Sequence, residues 1–148
     1  MTGADLDTLF PYEQEMFGSE SWTRAGYLAE LADTETRYYV VAEESGAVVG
    51  SAGLMVIAET AQVMTVGVLP PARRRGIGEQ LLQTLLLEAR RRQAEEVLLE
   101  VRMDNLAART LYERAGFTII GTRRGYFDRG RVDALVMRLA LTGPAGGE

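Results

Sequence analysis

A turn rich in arginine and glycine, RRRGIG at residues 73–78, is the first part of the sequence that could do chemistry. It joins a stretch typical of a β-strand to a stretch typical of an α-helix. A helix start offers unpaired backbone N–H groups and the positive end of the helix dipole, and glycine allows an anion to approach the backbone closely. The turn lacks the third glycine of a dinucleotide fingerprint and the lysine of a P-loop. The pattern therefore favours an anion site of unspecified type, with a plain solvated turn as the alternative.

A carboxylate, Glu100, lies inside the apolar segment VLLEV at residues 97–101. Such a run predicts a central strand covered on both faces, and strand alternation places Glu100 on the same face as Leu98 and Arg102. Burying a carboxylate is costly unless it is paired or takes part in a reaction, so Glu100 is a candidate general base. The alternative is a glutamate at the strand end that pairs with Arg102.

Two further polar residues lie on the segment NLAARTLYERAG at residues 105–116, which has the pattern of a helix. Tyr112 could exchange a proton with a substrate, although a tyrosine on an amphipathic helix more often belongs to the core or its rim. Asn105 is placed to cap the start of the helix, and Gly116 to follow its end.

The composition excludes several kinds of chemistry. The 148 residues contain no cysteine and no histidine, and all 16 basic residues are arginine. Disulfides, thiolate or imidazole metal sites, Ser-His-Asp triads and lysine Schiff bases are therefore excluded. Any acid–base chemistry must rely on Asp, Glu, Tyr or a terminal amine.

The charge distribution bears on partners and location. The formal net charge is −5: residues 1–72 carry 11 acidic and 2 basic residues, and residues 73–148 carry 10 acidic and 14 basic residues. A general nucleic-acid-binding domain is normally much more basic, so we expect no specific nucleic-acid partner. No run approaches the roughly 18 apolar residues of a membrane span, and the acidic start does not have the pattern of a signal peptide. We therefore expect a cytoplasmic protein that does not bind membranes.

The predicted secondary structure that positions these residues begins with a helical region. Apolar residues recur at helical spacing over the first thirty-odd residues, with a break at Pro11. A β-hairpin with its turn at Ser45-Gly46 follows, and then a third strand that ends at Pro70. The segment at 78–92 has a leucine-rich face and predicts a strong helix.

The second half of the chain continues the alternation of strands and helices. A strand at 95–101 and the helix at 105–116 precede two final strands, at 117–124 and 131–141, joined by the loop GYFDRG. The order predicts one α/β domain with a central mixed sheet of about six or seven strands and helices on both faces. We place this domain at residues 1–141 and a flexible tail at 142–148.

These segments together resemble the GCN5-related N-acetyltransferase (GNAT) family over residues 38–139. VMTVGVLPPARRRGIGEQLL resembles the acetyl-CoA motif of the family, Gln/Arg-x-x-Gly-x-Gly/Ala. LLEVRMDNLAARTLYERAGF resembles the second half of the family domain and is the more specific of the two matches. The resemblance implies a twisted sheet splayed at the strand that binds acetyl-CoA. It also implies acetyl transfer to an amine, with acetyl-CoA as co-substrate and no metal.

Within the family, the match is nearest to the bacterial RimI group of protein N-terminal acetyltransferases. ESWT around Trp22, LEVRMDN and RRGYFDRGRVDALVM carry this resemblance. It implies that the acceptor is a protein N-terminal α-amine, that of the N-terminal alanine of a small-subunit ribosomal protein, and that the enzyme is a monomer or weak dimer. One alternative is an acetyltransferase for a small amine such as a polyamine, amino acid or aminoglycoside. Another is a non-enzyme that binds coenzyme A or nucleic acid.

The resemblance also implies roles for individual residues. Glu100 would be the general base and Tyr112 the general acid. Trp22 and Tyr126 would be walls of the peptide site. The residues expected to bind acetyl-CoA are Val66, Gly67, Val68, Arg73, Arg74, Arg75, Gly76, Ile77, Gly78, Glu79 and Asn105.

The sequence departs from the family pattern at three places. The first strand is reduced to Met1–Gly3, which leaves that edge strand in question. Arg73 stands where glutamine is common, and Glu79 stands where a small or basic residue is frequent. An acidic residue beside a pyrophosphate is unexpected, and it should weaken binding of the cofactor unless its side chain points away.

Overall fold

The computed structural model describes residues 28–29, 32–69, 72–73, 76–127, 130 and 132–141. Their elements are β1 (Arg37–Glu44), β2 (Ala47–Ile57), β3 (Thr60–Val68), α1 (Ile77–Arg91), β4 (Glu96–Arg102), α2 (Leu106–Arg114), β5 (Thr118–Phe127) and β6 (Val132–Ala140). Three parts of the prediction lie outside the described residues: the strand at Met1–Gly3, most of the N-terminal helical region and the tail at 142–148. No helix within the described residues is long and apolar enough to cross a membrane.

The six strands form one open sheet in the order β1-β2-β3-β4-β6-β5. β3 and β4 are parallel, and all other neighbouring strands are antiparallel. The parallel pair requires a crossover, which α1 provides between the end of β3 and the start of β4. The predicted α/β domain with a mixed sheet is confirmed, with six strands in the described part.

The turn between β1 and β2 has the predicted position. Glu44 pairs with Ala47, so the loop consists of Ser45 and Gly46 alone. Their φ angles are 52° and 82°. Two consecutive positive φ values match the twist of a two-residue hairpin, which is why glycine is favoured in such turns.

A β-bulge in β3 lies at the place where the sheet opens in its middle. Gly53 of β2 pairs with Thr65 and Leu54 pairs with Val63, so Met64 is an extra residue in β3. A bulge bends its strand and increases the local twist. β3 pairs with β4 only along Thr60–Gln62, and the pairing stops where the bulge begins. Beyond that point the two strands diverge, which gives the predicted splay.

The leucine-rich face of α1 packs against the first three strands. Leu81, Leu82, Leu85, Leu86 and Ala89 are each no more than 4% exposed, as their helical spacing predicted. Each buried leucine contributes about 1.5–3 kcal/mol relative to an exposed one. This packing fixes the first turn of α1 beside the end of β3.

A buried carboxylate near the C-terminal end of α1 forms hydrogen bonds with two arginines. Glu88 is 7% exposed and accepts hydrogen bonds from Arg91 Nε at 2.9 Å and Arg92 Nε at 2.7 Å. These arginines, Arg91 foremost, hold the pKa of Glu88 below its ordinary value. Arg92 also lies over the ring of Tyr38, 5.8 Å from its centroid, and donates to the carbonyl of Glu35. These two arginines therefore have a structural role.

The last strand pair differs from the prediction. β5 continues through Phe127, so the first half of the predicted loop GYFDRG is strand. Gly125, with φ of 60°, donates its N–H to Asp133 Oδ1 at 2.8 Å. This hydrogen bond links β5 to β6 across the hairpin. It lies where the register of the two strands is irregular, between Arg123 and Phe127, and helps β5 to continue beyond that point.

Candidate active site

A cavity of about 690 Å³ lies beside the end of β3, between the start of α1 and the length of α2. Its volume is in the range of sites for small molecules and cofactors. Every described residue that was predicted to bind the cofactor lines it: Val66, Gly67, Val68, Arg73, Gly76, Ile77, Gly78, Glu79 and Asn105. Arg74 and Arg75 lie outside the described residues.

The first turn of α1 leaves backbone N–H groups available to bind a ligand. Gly76 occupies the N-cap position with φ of 78°, a conformation that favours glycine, and it has no side chain to cap the helix. The helix start offers N–H groups and a partial positive charge to the cavity. A Cβ atom on Gly78 would lie 3.7 Å from Leu111 and 3.9 Å from Val68, so this glycine widens the space between the helices and β3. The arrangement fits a phosphate group.

The end of β3 is held by Arg73. Its Nε donates to the carbonyl of Val68 at 2.9 Å. The N–H of Leu69 donates to the carbonyl of Val49 in β2. Because successive N–H groups along a strand point to opposite sides, the N–H of Val68 points away from β2, towards the opening. A backbone donor therefore faces the gap between β3 and β4.

Asn105 caps α2, as predicted. Its Oδ1 accepts a hydrogen bond from the N–H of Ala108 at 3.1 Å. The helix then presents a wall of the cavity that the sequence reasoning missed, made by Ala108, Leu111 and Ala115. Their spacing of three and four residues is that of one helix face and was the available signal. A contact between Asn105 and a cofactor stays a prediction.

Glu79 borders the cavity and is exposed. It lies in the first turn of α1, where a negative charge interacts favourably with the helix dipole. The unexpected acidic residue therefore stands at the position where the anion was predicted.

Glu100 lies on the face of β4 opposite α1. The alternate residues Val97, Leu99 and Val101 are buried on the α1 side, whereas Leu98, Glu100 and Arg102 are half-buried. The face that contains Glu100 is therefore covered less completely than the other. Leu98 is the last residue of β4 that pairs with β3. Glu100 follows it by two residues, which places its side chain beside the opening.

The partner of Glu100 is Arg123 in β5. Arg123 Nη1 donates to both carboxylate oxygens of Glu100, at 3.0 and 2.8 Å. Arg102 forms its ion pair with Asp104 instead, with Nε 3.0 Å from Oδ1. The alternative in which Glu100 pairs with Arg102 is therefore wrong. The sequence reasoning also missed Arg123, since its proximity depends on the register of strands distant in sequence.

Tyr112 is 7% exposed and belongs to the hydrophobic core. Burial raises its pKa to about 12. The phenol is therefore protonated at neutral pH and can act only as a proton donor there. Its neighbour Leu111 lines the cavity, whereas Tyr112 is not among the described residues that line it.

The two predicted walls of the peptide site are less fully described. Trp22 lies outside the described residues. The backbone of Tyr126 lies in β5, three residues after Arg123. Their contact with an acceptor stays a prediction.

Comparisons with known proteins agree with this geometry. A family model for the acetyltransferase (GNAT) family matches residues 6–117. The chain is 39% identical over 143 residues to the N-alpha-acetyltransferase RimI of Mycobacterium tuberculosis, covering 93% of this chain and 88% of the relative. It is 35% identical over 140 residues to the ribosomal protein bS18-alanine N-acetyltransferase of Escherichia coli, covering 93% of each. The crystal structure of the ribosomal-protein-S18-alanine N-acetyltransferase from Escherichia coli matches with a TM-score of 0.86 and 28% identity, over 97% of this chain and 92% of that chain.

Proposed function

The chain belongs to the acetyltransferase (GNAT) family, and from this premise we propose that it acetylates the N-terminal alanine of a small-subunit ribosomal protein. The name of the Escherichia coli relative supports this acceptor, and the name of the Mycobacterium tuberculosis relative supports acetylation of an α-amine; each matches 93% of the chain. The single structural observation that supports the proposal is that β4 stops pairing with β3 two residues before Glu100, while the end of β3 lines a cavity of about 690 Å³.

Enzymes of this family use acetyl-CoA, and we propose where this chain would hold it. The backbone N–H groups from Gly76 to Glu79 would bind the diphosphate, and Val66, Gly67 and Val68 would lie along the pantetheine arm. When bound, acetyl-CoA supplies a thioester whose acetyl group can be transferred to an amine. The N–H of Val68, which points to the opening, would stabilise the negative charge on the carbonyl oxygen under attack.

The acceptor amine must be unprotonated to attack. An α-amino group has a pKa of about 8, against about 10.4 for a lysine side chain. At neutral pH an α-amine therefore needs less assistance from a base than a lysine side chain does. Glu100 would take the proton of the amine, directly or through a water molecule, and Tyr112 would give a proton to the departing thiolate. Holding the two substrates side by side contributes much of the rate.

The proposed acceptor also bears on the catalytic domain, the cellular location and the oligomeric state of the enzyme. We propose that residues 1–141 are the catalytic domain and that it works in the cytoplasm, where ribosomal proteins are made. We propose a monomer or weak dimer.

Replacing Glu100 by glutamine tests the proposed base. E100Q should lower kcat by about 10²–10⁴-fold, because an amide cannot accept the proton, and leave the affinity for acetyl-CoA unchanged. E96Q is the matched control, since Glu96 lies on the same face of β4 and is also ion-paired, with Arg138 at 2.6 Å. It sits where β3 and β4 are still paired, so E96Q should retain activity. Equal activity of E100Q and the wild type would contradict the proposal.

The acceptor is tested separately with short peptides that differ in their first residue, together with polyamines, amino acids and an aminoglycoside. Peptides that begin with alanine should have the highest kcat/KM. Preferred turnover of a small amine would support the alternative acceptor class. The measurement is the release of free coenzyme A with each acceptor.

A further inference from the structure

We propose that Arg123 is a positioning residue for catalysis, which holds the carboxylate of Glu100 in a fixed orientation; this inference rests on the proposed function. One nitrogen, Nη1, lies 3.0 Å from Oε1 and 2.8 Å from Oε2 of Glu100. The Glu100 side chain is 16% exposed and that of Arg123 is 56% exposed. The base is thus held inside the protein by a cation that reaches it from the surface.

The strand register explains how Arg123 reaches Glu100 from a different part of the sheet. Arg123 of β5 pairs with Ala134 of β6, and Ala134 pairs in turn with Arg102 of β4. Directly paired residues share a face of the sheet, and Glu100 shares that face because it lies two residues from Arg102. Ala134 is small, so the long side chain of Arg123 can pass over β6 towards Glu100.

The geometry of the pair suits a working base. A carboxylate has about four sites that accept hydrogen bonds, and a single nitrogen placed between the two oxygens leaves the outer sites for a substrate. The positive charge of Arg123 disfavours a protonated amine nearby, so it favours the neutral acceptor that attacks.

A second ion pair on the same face of β4 lacks these features. Glu96 accepts from Arg138 Nε at 2.6 Å and from Thr60 Oγ1 at 3.1 Å. Thr60 and Glu96 are partners where β3 and β4 still run side by side, away from the opening. This pair joins strands, whereas Glu100 of the Glu100–Arg123 pair lies beyond the last residues that pair β3 with β4. Arg138 therefore provides a matched control for Arg123.

The test compares R123Q with R138Q in steady-state assays that use acetyl-CoA and an alanine-first peptide. R123Q should lower kcat about tenfold or more, a part of the contribution of a general base, and leave the KM for acetyl-CoA within about twofold. R138Q should keep the kcat of the wild type. R123M, which keeps the apolar length of the side chain, gives the same comparison if R123Q does not fold. R123K should recover most of the activity because it keeps the charge.

A double variant separates positioning from a general effect on the fold. If Arg123 acts through Glu100, R123Q should cause no further loss in the E100Q background. A further loss there, or equal kcat values for R123Q and R138Q, would overturn the inference. Full activity of E100Q would instead refute the proposed base, so the two failures are distinguishable.

Discussion

The ring of Tyr112 meets the ring of Phe117 edge to face, with centroids 5.8 Å apart and planes inclined by 64°. The rings are 7% and 3% exposed. The N–H of Phe117 also donates to the carbonyl of Tyr112 at 3.0 Å, which closes the end of α2. The ring of Tyr112 is therefore held by packing and backbone bonding, so its hydroxyl can be removed without disturbing its surroundings.

Y112F should lower kcat by about 10²-fold at neutral pH, because phenylalanine keeps the ring contact but cannot donate a proton. The loss should be smallest at high pH, where the thiolate leaving group needs no proton from the enzyme. The measurement is kcat against pH for the wild type and the variant. Identical profiles would remove Tyr112 from the mechanism.

Alkaline stability gives an independent test of how Tyr112 is buried. Burial raises its pKa from 10.0 to about 12. As the pH rises above about 10, the unfolded chain loses this proton while the folded protein keeps it, so folding stability falls until the pH passes the folded pKa. The loss is about 1.4 kcal/mol per pH unit in that window and absent below it. The free energy of unfolding, measured by urea denaturation, should fall more steeply with pH in the wild type than in Y112F. Equal slopes for the two proteins would contradict the burial of Tyr112 as the cause.

The two glycines at the start of α1 should respond differently to alanine. G76A should destabilise the protein by about 1–2 kcal/mol, since Gly76 has φ of 78°. G78A should keep the stability, because its Cβ would meet only ordinary contacts, at 3.7 and 3.9 Å. Crowding of the cavity should nevertheless weaken acetyl-CoA binding about tenfold or more. Thermal unfolding and calorimetric titration separate the two effects, and unchanged affinity in G78A would argue against a phosphate at this turn.

Glu79 should oppose the binding of acetyl-CoA. It borders the cavity from the first turn of α1, so removing its charge with E79Q should tighten binding by up to about fivefold. The same change should destabilise the free enzyme by about 0.3–1 kcal/mol, because Glu79 interacts favourably with the helix dipole. Both effects should shrink as salt is added. Weaker binding by E79Q would show that this carboxylate assists the cofactor.

Local patterns were sufficient to predict most of the elements. The face of α1 that contains Leu81 and Leu85 followed from helical spacing, and the Ser45-Gly46 turn from residue type. The N-cap role of Asn105 likewise needed only its own neighbours. These features depend on residues that are close in sequence, which is why they could be predicted.

The other features of the fold and of the site depend on contacts between segments that are distant in sequence. The extension of β5 relies on Asp133, eight residues from Gly125, and the partner of Glu100 comes from a strand two positions away in the sheet. The bulge at Met64 has no distinctive residue type, so the place where the sheet opens was implied only by family resemblance. Roles for Glu100 and Tyr112 in acetyl transfer also came from the resemblance.

The three-residue pairing between β3 and β4 has an evolutionary consequence. In the middle of the molecule, β3 and β4 lack the interstrand hydrogen bonds that a continuous sheet would form. Hydrogen bonds at this place would contribute most to folding. Among descendants of this protein, those that have abandoned catalysis should be recognisable because the extra residue is lost and the two strands have rejoined.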